Sequence, residues 1–391
     1  MHRELESQRW SIYLVTFAVF LVTLAVNLQV PLYRVYAQAA HYGNGLTAVV
    51  FACYVGGLLP MLIFLGGSSD RLGRKWIVLA GMASASLATV LVIHAPQMQV
   101  VLMARVFQGI AVGITVGSAT AYISELSSGD AARASKVIAV ASALGFGGGA
   151  LLTTLALLSG PTLMPWSYPV ALGITVVCIV VVAIVCPALK PIGGRLIRLP
   201  YFPPGTASAG LAIALAWAVS GLVVAVVPGQ LGEHGLSVWS GPVLFLVNCA
   251  GVLAQPRARR MPAKRAILVG LKLIPVGYLL LIGGAHIRAL PLVLLGACVA
   301  GTGCYGFTYL GGLALVADSA GAQRARGVAG YFLFAYTGFG VPSILIGFGA
   351  DIIGLTAALS LFGVIVVGAA IYLSTTKARH SLRASESPTE P

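Results

Sequence analysis

Apolar stretches of around twenty residues recur from one end of this 391-residue chain to the other, separated by short polar turns. A run of that length, coiled as a helix, matches the hydrocarbon thickness of a bilayer. Lipid offers irregular backbone no hydrogen-bond partner, so the polar turns belong at the two surfaces. The pattern predicts an all-α integral membrane protein with twelve transmembrane helices. They fall approximately over 11–33, 45–66, 76–94, 98–122, 136–158, 167–187, 206–228, 238–255, 264–284, 289–316, 327–349 and 352–374.

The longest connection, from Pro187 to Gly205, divides six spans from six and is the one plausible domain boundary. The predicted organisation is a six-helix bundle over 1–187, a linker over 188–205, a second bundle over 206–376 and an unstructured tail over 377–391. A faint repeat crosses the linker. IFLGGSSDRLGRKWIVLAG (Ile63 to Gly81) corresponds in place to VLAQPRARRMPAKRAILVG (Val252 to Gly270), which keeps the positive charge but loses the acid and the turn glycine. Two similar halves suit a transporter that rocks about a central site. A channel would need a filter-like loop or a ring-forming polar run, and neither stands out.

Composition agrees: 58% of residues are hydrophobic, 9% are charged and the mean hydropathy is +0.95, where a soluble chain would carry roughly a quarter charged residues. The net charge of +14 would raise the question of nucleic acid in a soluble protein. Here the basic residues sit in short loops, without a continuous basic surface or interleaved aromatics, so the charge reads as topology and no nucleic-acid partner is expected. With the N-terminus in the cytoplasm, all but four of the 24 Lys and Arg residues fall in inside loops and tails. The exceptions are Arg34 and Arg288 near outer span ends, and Arg105 and Lys272 within spans. That bias puts both termini in the cytoplasm of a bacterial-type inner membrane. The six cysteines lie in apolar segments without C-x-x-C spacing or a neighbouring histidine, so neither disulfide nor metal is expected. The first span lacks a small-residue cleavage site before Asn27 and reads as a retained helix.

The turn from Gly66 to Val78 concentrates Asp70, Arg71, Arg74 and Lys75 in six residues. Gly73 permits a sharp reversal, Asp70 can cap the helix that follows, and Arg71 and Arg74 can reach acids or helix-terminal carbonyls. The favoured acid partner is Glu125, at the inner end of the fourth span. A cluster that is dry when closed and hydrated when open is a two-state gate of the kind alternating access needs.

These residues carry a resemblance. GGSSDRLGRK resembles the G-x-x-x-D-R-x-G-R-[KR] signature of the major facilitator superfamily, and ARVFQGIAVG resembles its R-x-x-Q-G element through Arg105, Gln108 and Gly109. The resemblance extends over the twelve-span plan and implies a secondary transporter, most similar to the proton-driven efflux branch. The glycine-rich fifth span, Ala143 to Leu158, lacks the Gly-Pro pair of the antiporters.

Arg105 lies about two turns inside the fourth span, where an unaccompanied charge costs a few kcal/mol, and Gln108 shares its face at i+3. It either braces neighbouring helices or belongs to the coupling machinery, and the family resemblance favours coupling. Lys272 either snorkels to the surface or faces the cavity. Asn27, Arg34, Tyr54, Asn248, Tyr305, Tyr309, Tyr331 and Tyr336 are further candidates for lining an amphipathic cavity. The stretch Gly301 to Gly312 suggests a helix that bends or packs very closely. None of the ten acids falls at mid-membrane, whereas an exporter of cations would ordinarily keep a buried carboxylate there. The cargo expected is therefore a small neutral, zwitterionic or anionic amphipathic solute. Protons, if used, would bind Asp70, Glu125 or an interfacial histidine such as His41 or His94. No nucleophile elbow, metal-ligand spacing or phosphate loop suggests an enzyme or a cofactor. Proton-coupled export leads the readings, beside import of an organic anion or metabolite by symport or uniport, and, in another class, a non-transporting receptor or scaffold. One chain with two halves suffices as a monomer.

Overall fold

The computed structural model describes residues 2–191, 193, 197 and 199–385. Twelve helices long and apolar enough to cross a membrane follow one another: α1 (Gln8–Ala39), α2 (Asn44–Phe64), α3 (Arg74–His94), α4 (Met98–Leu126), α5 (Ala131–Leu157), α6 (Ser167–Val185), α7 (Ala207–Ala225), α8 (Ser237–Arg259), α9 (Ala263–His286), α10 (Leu290–Ser319), α11 (Gly321–Ile353) and α12 (Leu355–Thr375). Each overlaps a span drawn from the sequence, and no strand occurs among the described residues. The molecule is an all-α, multi-pass membrane protein. Alternate turns share a face; the face bearing the α2–α3 and α8–α9 turns is called the basic face below.

Packing repeats from one half to the other. In the first half α2 and α3 lie on α4, α1 lies on α5, and α3 on α6; in the second α8 and α9 lie on α10, α7 on α11, and α9 on α12. The halves meet chiefly through two pairs, α2 with α11 and α5 with α8. The operation that converts one half into the other exchanges these two pairs, which is the mark of a pseudo-twofold axis between six-helix bundles.

Small residues set how closely the helices approach, since lipid gives apolar surfaces little reason to associate. On α5, Gly145 and Gly149 face α1 while Gly147 faces Phe245 and Cys249 of α8, so one glycine-rich helix binds its own bundle and the other bundle together. The stretch from Gly301 to Gly312, expected to bend or pack very closely, contains a π-helix, Thr302–Thr308, within α10. It presses against α8, where a Cβ added to Gly251 would lie 2.6 Å from both the Gly301 carbonyl oxygen and the Tyr305 Cβ.

The linker touches both halves. Gly193 N donates to the Asp70 carbonyl (3.0 Å), while Tyr201 N donates to the Arg326 carbonyl (3.0 Å) and Arg326 Nε to the Leu199 carbonyl (2.8 Å). Arg195 and Arg198, expected in that linker, lie outside the described residues. The last helix runs on to Ser385, past the 376 drawn from the sequence, and 386–391 lie outside the described residues.

Gly251→Val is expected to cost about 1–3 kcal/mol through overpacking of α8 against the π-helix, read as a lowered unfolding midpoint in detergent. An unchanged midpoint would show that the close approach carries no weight.

Candidate functional site

The site is built on a broken helix. The first α-helical piece of α1 ends at Asn27, a 3-10 turn covers Val30–Leu32 with Pro31 inside it, and the helix resumes over Tyr33–Ala39. Proline removes a donor from the ladder, and a helix end leaves its last carbonyls without intrahelical partners. In the second half, α7 ends at Ala225 and a short helix with Pro228 in its first turn, Val227–Glu233, continues it. The two halves are thus interrupted at corresponding places.

Arg105 answers the break. It is fully buried, and its Nη1 donates to the Val26 carbonyl at 2.6 Å and to Gln108 Oε1 at 3.2 Å. Gln108 Nε2 donates to the Ala25 carbonyl at 2.9 Å, and Gln29 Nε2 donates to Gln108 Oε1 at 2.8 Å and to the Val26 carbonyl at 3.2 Å. Two side chains of α4 and one of α1 thus satisfy the orphaned carbonyls, and the negative end of the helix dipole faces the guanidinium. Bracing is therefore one function of Arg105, as the sequence allowed. It does not exhaust the side chain, because Nε and Nη2 make no hydrogen bond. The rings of Tyr33, Phe51 and Tyr54 surround the group, their centroids 5.4, 5.1 and 5.6 Å from Cζ, at cation–π range.

From this box aromatic rings run into the second half. Phe51 meets Phe339 with centroids 5.0 Å apart, Tyr54 lies 6.5 Å from Tyr336, and Tyr336 stands edge-on to Trp217 at 4.7 Å. Trp217 is 6.1 Å from Tyr305, whose hydroxyl pairs with Ser220 Oγ at 2.6 Å, and Phe332 links Trp217 to Tyr309. The hydroxyl of Tyr54 and the indole N–H of Trp217 are buried without a hydrogen-bond partner. Unmet donors inside an aromatic enclosure suit an amphipathic molecule that offers acceptors at one end.

Tyr54, Arg105, Gln108, Tyr305, Tyr309 and Tyr336 are thus brought together, while the other candidates are not. Asn27 Nδ2 donates to the Phe146 carbonyl at 2.8 Å and ties α1 to α5. Asn248 Nδ2 is spent on the Leu244 carbonyl of its own helix, and the Tyr331 hydroxyl on the carbonyls of Thr308 and Tyr309. Arg34 is exposed near the surface opposite the basic face, 3.5 Å from the Gly229 carbonyl of the second half. Lys272 is exposed on the outward stripe of α9 with Val276 and Leu279, because the helix turns Leu271 and Ile274 inward. It faces away from the rings about Arg105. Sequence reasoning missed Gln29, Phe51, Trp217 and Phe339. One signal was there: Trp217 is the tryptophan placed in the middle of a span, whereas Trp10, Trp76, Trp166 and Trp239 sit at span ends.

The charged turn is folded within one half. Gly73 has φ +91°, a conformation that suits glycine. Arg74 pairs with Asp70 and, through Nε, with Glu125 Oε1 at 2.9 Å, while its Nη1 donates to Ser69 Oγ at 2.6 Å. Lys75 Nζ donates to the carbonyls of Ala183 and Cys186 (2.7 and 2.9 Å), closing the end of α6; Arg71 is exposed. These ties join the α2–α3 turn, α3, α4 and α6, so the Asp70–Arg74–Glu125 cluster predicted as a gate braces one bundle in this conformation. The latch between bundles is on the other face. Asp351, at the end of α11, accepts from Asn44 N (2.7 Å), Asn44 Nδ2 (3.2 Å) and Gly45 N (2.9 Å) at the start of α2. A carboxylate there meets free amides and the positive helix end together.

The family model described as Major Facilitator Superfamily matches residues 15–287. Among solved structures, the chain is similar to the nucleoside transporter NupG (TM-score 0.71, 13% identity, covering 94% of this chain and 98% of that one). It is also similar to the human organic anion transporter MFSD10 (TETRAN) (0.65, 18%, 94% and 99%). A third is a bacterial homologue of the human lysosomal transporter Spinster, inward-facing and unoccupied (0.73, 15%, 95% and 97%). At these identities the likeness is one of fold. No curated protein matches the chain.

Two outcomes are expected. Arg105→Lys keeps the charge but loses the planar fork that spans Val26 and Gln108, and should lower flux about tenfold at normal expression; full activity would leave the guanidinium geometry without consequence. Asp351→Ala should speed labelling of an Ala48→Cys reporter by a membrane-impermeant maleimide at least about fivefold, since it removes all the charge-assisted bonds to the start of α2, and even one costs about 1 kcal/mol or more. Equal labelling would mean that Asp351 does not hold the halves together.

Proposed function

This chain belongs to the major facilitator superfamily, and on that footing we propose that its cargo is a small amphipathic organic solute, neutral, zwitterionic or anionic, exported in exchange for protons. It is a secondary transporter and not an enzyme, and it carries a small molecule across the bilayer by alternating access. What is proposed is the charge of the solute, the direction and the coupling.

The observation that carries the charge argument is the Arg105 guanidinium, buried among aromatic rings with two nitrogens unpartnered. Among the described residues no acid lies in the interior of a span: Glu125, Asp318 and Asp351 stand near the ends of α4, α10 and α11. A site whose fixed charge is positive repels a cation and favours a carboxylate, or the acceptor-rich end of a neutral molecule. The rings of Tyr54, Tyr336, Phe339 and Trp217 offer the other end an apolar surface. Export is favoured by the Arg105-x-x-Gln108-Gly109 element, and Asp70 and Glu125 are the carboxylates available to a proton.

With the basic face in the cytoplasm of a bacterial-type inner membrane, as the charge bias favours, the Asp351 clamp closes the outer mouth. The cargo would then leave or enter from the cytoplasmic side in this conformation. A single chain is sufficient, since both halves of the enclosure come from it.

Proteoliposomes loaded with matched cationic and anionic aromatic amphiphiles test the reading. The anion should be carried in preference, and preference for the cation would overturn the charge argument. A substrate-dependent pH change in the sealed lumen should have the sign of antiport; the opposite sign would make the protein a symporter. Arg105→Ala should abolish flux, and Lys272→Ala should reduce it far less.

A further inference from the structure

The two halves treat equivalent basic turns in opposite ways. α3 begins at Arg74 and α9 at Ala263, so the structure places Asp70 opposite Arg259, Arg74 opposite Ala263 and Lys75 opposite Lys264. In the first half every buried cation of the turn has a protein partner: Arg74 has Asp70 and Glu125, and Lys75 has the carbonyls that end α6. In the second half the acid position has become a cation. Arg257, Arg259, Arg260, Lys264 and Arg265 are all exposed, and among the described residues none of them makes a side-chain hydrogen bond or an ion pair. The one acid on this face of the neighbouring helix end, Asp318, is exposed and paired with none of them.

Lys272 extends the same patch into the membrane. It follows Arg265 by two turns on one stripe of α9, and the stripe continues through Val276 and Leu279, each about half exposed. The rise along the helix puts its Cα about 13 Å beyond the first residue of α9. A cation at that depth on a lipid-facing stripe is costly unless its long stem returns the charge to the headgroup plane. Meeting a phosphate there, beside five more cations and the amino end of α9, removes the cost.

We propose that the α8–α9 turn and the outward stripe of α9 form a binding site for an anionic phospholipid, its phosphate held between Arg265 and Lys272 and its acyl chains lying along Val276 and Leu279. A free phosphate would satisfy the arginines of the turn, but it has nothing to place on the apolar stripe and no reason to reach Lys272. A lipid occupies both. The Arg265–Lys272 stripe faces away from the Arg105 enclosure, and the inference is independent of what the protein carries.

The test measures lipid retention by native mass spectrometry. Protein is equilibrated in nanodiscs containing equal parts phosphatidylcholine and phosphatidylglycerol and then released into mild detergent. The unaltered protein should retain phosphatidylglycerol over phosphatidylcholine. Lys272→Leu and Arg265→Gln should each lower that retention about fivefold, the effect of removing one cation near an anionic surface. Lys272→Leu makes the stripe more apolar, so a merely structural role predicts undiminished unfolding midpoints and unchanged lipid. Arg71→Gln, which removes an exposed cation from the equivalent turn of the first half, should leave retention as it was. Equal retention of the two lipids, no loss with Lys272→Leu, an equal loss with Arg71→Gln, or displacement by soluble glycerol 3-phosphate would each overturn the assignment.

Discussion

A helix cannot be interrupted inside a bilayer unless something in the protein takes up the hydrogen bonds it abandons. The end of the first helical piece of α1 at Asn27 creates that demand, and Arg105 and Gln108 on α4, with Gln29 on α1, meet it. The charge of Arg105 is tolerated because the end of a helix and three aromatic rings lie against it. The break and the arginine are thus one feature. The break frees carbonyls within the bundle, and the charge that closes the broken end is left with nitrogens to offer.

The same economy of partners governs movement. The first bundle is tied internally by polar side chains: Arg74 to Asp70 and Glu125, Lys75 to the carbonyls that end α6, and Asn27 to the Phe146 carbonyl. Between the bundles the ties are fewer and of a different kind. Glycines let α5 lie close to α8, and one carboxylate, Asp351, holds the start of α2. Rigid halves with a small, reversible seam can exchange one mouth for the other without repacking their cores. The aromatic rings between Phe51 and Trp217 cross that seam, so a molecule lying among them touches both halves.

Much of this was legible before any coordinates. Twelve spans and the need of a charge such as Arg105 for partners inside one of them follow from hydropathy and from the cost of a charge in lipid, both properties of residues taken in order. The close packing near Gly301 was legible for the same reason, although its π-helical form was not. Other assignments needed the third dimension. Asn248 and Lys272 are polar residues in apolar spans, and only the direction each helix face takes sends one to its own backbone and the other to the lipid.

What the sequence determined by itself was the class of molecule and where its charges are scarce, because the bilayer imposes its terms locally, residue by residue. What only the tertiary structure decided was which side chains meet: that Arg105 faces the end of α1, that Trp217 joins Tyr54 through Tyr336, and that Asp351 reaches across to α2. Those meetings join residues 79 to 307 positions apart in the chain, and a span's composition holds no record of its neighbour's identity or of the angle at which they pack.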